Sequence, residues 1–80
     1  MKDLKMYNSL NLAETIKARA KTKNIMLQTM LNDLELGSNT ISNLRHGRMI
    51  AADSLARIAD YLDCSVDYLL GRTDNPEAHK

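Results

Sequence analysis

Between residues 11 and 71 the apolar side chains recur at helical spacing, interrupted by short polar breaks. Ala13, Ile16 and Ala20 form the first stripe, with Lys17, Arg19 and Lys21 on the other faces; Asn11, followed three residues on by Glu14, has the form of a capping box. The spacing predicts a helix over about Leu12 to Thr22, and the first nine residues of the chain carry no periodicity and read as an arm. After Lys23-Asn24, the residues Leu27, Met30, Leu31 and Leu34 repeat at i, i+3, i+4 and i+7, which predicts a second helix ending near Leu36 at Gly37. Gly37 or Ser38 then opens a short third helix with Ile41 and Leu44 inward and Gly47 as its stop. A loop from Arg48 to Ala52 leads to a fourth stripe, Leu55, Ile58, Ala59 and Leu62, with Asp53 near its positive start and its end near Asp63. Ser65 caps a fifth, short helix through Val66, Leu69 and Leu70, closed by Gly71. The fold class is all-α: a compact five-helix bundle.

At 80 residues the chain is one small domain, of a size that buries only roughly 60% of its unfolded surface. With three Tyr and no Phe or Trp, its core is aliphatic. Leu, Met and Ala are good helix formers, so composition supports the periodicity. Cys64 has no cysteine to pair with, and with only His46 and His79 it cannot complete a four-ligand zinc site. No apolar stretch approaches the roughly 20 residues of a membrane helix, and the N-terminus lacks the apolar run of a signal peptide; a reducing cytoplasm is the expected compartment. His46 sits at a predicted helix end, where capping or a phosphate contact suits imidazole better than general-base work. Cys64 has no His near it in sequence. No acid, base and nucleophile constellation emerges and no cofactor is implied, so an enzyme is not expected.

Net charge is +1, and its distribution says more. From Lys17 to Arg48 six basic residues face two acids, whereas from Met49 to Lys80 six acids face three bases. Such asymmetry marks one end for a polyanion, or simply reflects solvated faces. The third helix is the chemically distinctive element. Only Ile41 and Leu44 anchor it, while Ser38, Asn39, Thr40, Ser42 and Asn43 fill its other positions. An α-helix fits the major groove of B-DNA, where Asn pairs bidentately with adenine and Ser reaches several bases. The same residue types are ordinary helix caps, so spacing alone leaves both readings open.

The segment TISNLRHG (Thr40 to Gly47) and SLARIADYLDCSVDYLLGRT (Ser54 to Thr73) resemble the helix-turn-helix domain of the Cro/repressor class, often called XRE-type. The resemblance runs from about Ala13 to Arg72 and is strongest at Ile41-Ser42 with Gly47 and at Ser65 to Gly71. It implies a lambda-repressor-like bundle whose second and third helices form the helix-turn-helix, with the third in the major groove. Carried over by position, it implies base reading by Ser38, Asn39 and Asn43, with Thr40 and Ser42 close to the groove wall. Phosphate contacts fall on Leu27 and Gln28 at the start of helix two and on the stretch His46 to Arg48. Charge adds Lys17, Arg19, Lys21 and Arg45 as bases available to phosphates.

The chain departs from the family's habit at several points. Leu27 stands where many members have Gln, Leu31 where many have Ala, and Glu35 where the interhelical turn has Gly, with Gly37 displaced by two residues. Ile50 and Ala51 replace a frequent Pro-Ser, and Asp63 replaces a helix-ending Gly. The domain reading is an arm over 1–10, a helix-turn-helix domain over 11–72 and a polar tail over 73–80. The expected function is a sequence-specific regulator of transcription, a repressor that occupies double-stranded operator DNA. It is expected to act as a homodimer, with Tyr61, Tyr68 and Leu70 as interface candidates. A protein-interaction module of antitoxin or anti-repressor type, binding a regulatory partner through the acidic C-terminal third, is the alternative. Lys2, Lys5 and Tyr7 are further candidates to touch DNA from the arm.

Overall fold

The computed structural model describes residues 7–77, and Lys2 and Lys5 lie outside them. Five helices follow in chain order: α1 Ser9–Thr22, α2 Leu27–Asp33, α3 Thr40–Arg45, α4 Ala52–Tyr61 and α5 Val66–Leu69. Each stripe read from the sequence lies inward. Leu12, Ala13, Ile16 and Ala20 of α1 meet Met30, Leu31, Leu44, Leu55, Ile58, Ala59, Leu62, Cys64 and Leu69 in a single cluster. Burying a large aliphatic side chain is worth about 1.5–3 kcal/mol relative to exposure, so Leu44, fully buried, is the main pin holding α3 to the rest. α1 packs against α3 and α5, and α4 against α5.

α1 begins at Ser9, earlier than the capping-box pattern suggests. Asn8 is its cap: the side-chain oxygen accepts from the backbone N–H of Leu10 at 2.8 Å and of Asn11 at 3.3 Å. Ser9 and Leu10 therefore belong to the helix, Ser9 buried, and the expected arm is shorter at this end. Asn11 lies within the first turn, while Glu14 pairs with Arg45 instead of closing a box.

The five helices share one kind of ending. After each C-cap comes a residue of positive φ: Asn24 (59°), Glu35 (59°), Gly47 (92°), Asp63 (57°) and Gly71 (81°). In every case the next N–H reaches back five residues: Ile25 to the Ala20 carbonyl, Leu36 to Leu31, Arg48 to Asn43, Cys64 to Ala59 and Arg72 to Asp67. The positive-φ residue itself bonds three back, as Glu35 does to Asn32 and Gly47 to Leu44. These are Schellman stops, which satisfy carbonyls that a helix end leaves orphaned. α2 consequently ends at Asp33, short of the Leu36 expected from its stripe. The stop is made by Glu35 rather than Gly37. Gly37 has no positive φ and instead offers its carbonyl to the N–H and hydroxyl of Thr40, at 3.0 and 2.7 Å.

Ser65 caps α5 as expected, its hydroxyl accepting from the Tyr68 N–H at 3.0 Å. The polar residues after Gly71 do not simply trail away. The Ser65 N–H donates to the Pro76 carbonyl at 2.8 Å, and side-chain turns at Thr73 and Asn75 shape the return.

Candidate nucleic-acid interface

α2, a turn and α3 stand at the surface, and α3 is two-sided because its inward side is so small. Leu44 is buried and Ile41 half-buried, while Ser38, Asn39 and Ser42 are exposed and Thr40 and Asn43 half-buried. Ser38 and Asn39 form the turn that enters α3, and Thr40 is its first helical residue. The five base-reading candidates thus lie together on one short stretch. Asn39 occupies the N-cap position, yet its side chain makes no cap hydrogen bond. The capping explanation for its residue type therefore fails at this position. Thr40 does use its hydroxyl internally, as a donor to the Gly37 carbonyl.

The phosphate candidates divide. Gln28 and Lys17 are exposed, and the Gln28 amide donates to the Asn32 side chain along α2 at 3.1 Å. His46 and Arg48 are exposed just past α3, where Gly47 turns the chain and the Arg48 N–H closes on the Asn43 carbonyl at 2.9 Å. His46 is the C-cap, its N–H shared between the carbonyls of Ser42 and Asn43. Arg45 lies 3.4 Å from the Glu14 carboxylate of α1, an exposed pair. Arg19 is engaged elsewhere. Its Nε donates to the Leu62 carbonyl at 3.1 Å and its Nη2 to the Asp63 carbonyl at 2.8 Å, and the guanidinium lies 6.0 Å from the Tyr68 ring centre. A cation on carbonyls at the C-terminal end of α4 is favourably placed against the helix dipole, and this geometry is structural.

The interface candidates for a dimer are also dispersed. Tyr61 donates its hydroxyl to the Asp33 carboxylate, and Tyr68 lies against Arg19. The hydrogen bond to Asp33, with a smaller contribution from burial and from the negative charge, raises the Tyr61 phenol above its ordinary value of 10.0. Leu70, half-buried, borders an open groove of about 340 Å³ between the start of α1 and the end of α5, whose other wall includes the exposed Tyr7.

Sequence reasoning missed Arg57, whose Nη2 donates to the Leu34 carbonyl at 2.7 Å, and the partnership of Asp33 with Tyr61. Long-range polar ties of this kind leave no periodic trace. Among the described residues no group of three His, Cys, Asp or Glu could hold a metal ion, and no helix is long and apolar enough to cross a membrane.

Two short helices joined by a tight turn, the second presenting a polar face at its N-terminal end, define a helix-turn-helix. The family model for the Cro/C1-type HTH DNA-binding domain matches residues 15–75, and the chain belongs to that family. It is a DNA-binding protein of the regulatory helix-turn-helix kind, from a family that is typically non-enzymatic. Among curated proteins and solved structures, none matches this chain.

Proposed function

We propose that this protein is a sequence-specific repressor that binds operator DNA as a homodimer, with α3 in the major groove. Ser38, Asn39 and Asn43 read base edges, and Thr40 and Ser42 line the groove wall. Gln28, His46, Arg48 and Lys17 contact phosphates; Arg45 joins them once it leaves Glu14. Arg19 is not in this set, because its donors already serve the end of α4. The observation that carries the reading is Asn39, exposed at the head of α3 with an amide that caps nothing. Phosphate contacts supply salt-dependent, sequence-blind affinity and base contacts supply discrimination. A module of this size buries little DNA surface, so two copies on half-sites about one helical turn apart, roughly 34 Å, reach useful specificity. The dimer contact is proposed around Leu70, since Tyr61 and Tyr68 each have a partner within the chain. Repression follows from occupying the operator and excluding polymerase.

The test is a fluorescence-anisotropy titration against a labelled duplex of about 30 base pairs from just upstream of the gene, beside a scrambled duplex, at two salt concentrations. The native duplex binds at least about 10³-fold tighter. Asn39→Ala and Asn43→Ala each remove about 1–3 kcal/mol of that discrimination, whereas Arg48→Ala weakens both duplexes alike and lowers the salt slope by about one. Equal, weak, salt-sensitive binding to both duplexes refutes the reading.

A further inference from the structure

The reading end of α3 is lightly anchored: Ile41 is half-buried against the core, and the N–H and hydroxyl of Thr40 bond the Gly37 carbonyl of the incoming turn. Leu44 and the Arg45–Glu14 pair hold its C-terminal half, but Asn39 makes no side-chain cap bond, and Ser38 and Asn39 are exposed. Beyond its packing on α1, its direction depends on the incoming chain, the six residues 34–39 that leave α2. That departure point is gripped from α4. Arg57 and Tyr61, one helical turn apart, reach adjacent residues: Arg57 donates to the Leu34 carbonyl at 2.7 Å, and Tyr61 donates to the Asp33 carboxylate. Leu34 is the C-cap of α2, and the Schellman bonds there use the carbonyls of Leu31 and Asn32, leaving the Leu34 carbonyl for an outside donor. The guanidinium also faces the negative end of the α2 dipole. Immediately afterwards Glu35 adopts its left-handed conformation, so the turn toward α3 starts at the residue next to the gripped pair.

We propose that Arg57 and Tyr61 are positioning residues for DNA reading: a two-point clamp from α4 that fixes the end of α2 and so aims the base-reading end of α3. The inference rests on the operator reading above and goes beyond it, since neither residue touches DNA in that scheme. Both ties are exposed, and exposed polar ties add little to global stability. Their effect is on geometry, to which bidentate base contacts are sensitive while phosphate contacts made by flexible bases are not.

Arg57→Met and Tyr61→Phe keep the apolar body of each side chain and delete the donors; both singles and the double variant are measured by thermal melting, by anisotropy on the two duplexes, and by amide hydrogen exchange of the free protein. In the double variant the ratio of native to scrambled affinity falls about three- to tenfold, scrambled-duplex affinity stays within about twofold, and exchange at residues 34–42 accelerates. Arg57→Lys, which keeps a cationic donor, restores most of the ratio. An unchanged ratio overturns the proposal, as does an equal loss on both duplexes that tracks the melting temperature, or unchanged exchange over 34–42. Wild-type protein that does not discriminate the duplexes removes the operator reading and the clamp's role in it, and the exchange rates then separately report whether the two side chains hold the turn.

Discussion

Glu35 carries a conformation that the family assigns to glycine. A β-carbon in the left-handed region costs roughly 1–2 kcal/mol, and Glu lacks the local side-chain bonding that eases Asn and Asp there. Asn24 and Asp63 occupy the equivalent positions after α1 and α4 at smaller expected cost. Glu35→Gly is therefore expected to stabilise the protein by about 0.5–1 kcal/mol, the relief of strain being partly offset by the greater freedom of glycine in the unfolded chain, as read from a urea unfolding curve. The sequence departure at this residue was legible; its consequence was not. Gly37 looked like the stop because glycine is the usual one, yet backbone bonding from Leu36 to Leu31 placed the left-handed residue two positions earlier.

At the scale of the elements, the inward stripes were readable because burial follows the helical period, and Ile16, Met30, Leu44, Ile58, Leu62 and Leu69 all lie where that period puts them, while buried Leu12 of α1 lay outside the expected stripe. The ties between elements were not readable. Arg19 and its acceptors stand 43 and 44 residues apart, and nothing local distinguishes this arginine from Lys17 or Lys21. Arg19→Met is expected to cost about 1–2 kcal/mol in unfolding free energy, and to leave affinity for a scrambled duplex unchanged, because the lost bonds belong to the end of α4 rather than to phosphates. Tyr61 supplies a pH signature for the α2–α4 contact. Its raised phenol means that the folded protein holds this proton more tightly than the unfolded chain does. The contribution is whole below the ordinary tyrosine value of 10.0 and is lost as pH rises through the folded value. Stability measured on the alkaline side should fall less steeply in Tyr61→Phe than in the parent.

For the whole molecule, the chain after Gly71 belongs to the folded unit as far as Pro76, whose carbonyl accepts the N–H of the buried cap Ser65. The family match likewise extends to residue 75, beyond the expected domain end at 72. A protein ending at Asn75 loses that acceptor and is expected to be about 1 kcal/mol less stable by calorimetry or urea unfolding. Helix-turn-helix identity was legible from α3 and α5 together. The docking of the tail was not, because a polar segment with one proline carries no burial pattern.

The bareness of the α3 surface has a historical consequence. Ser38, Asn39 and Ser42 support no part of the core, while Leu44 and the five helix stops hold the scaffold without them. Replacing those three residues changes the chemistry this surface presents and leaves folding nearly untouched. Under the operator reading proposed above, lineages carrying this scaffold would trade one operator for another by single substitutions, with no unfolded intermediate to cross.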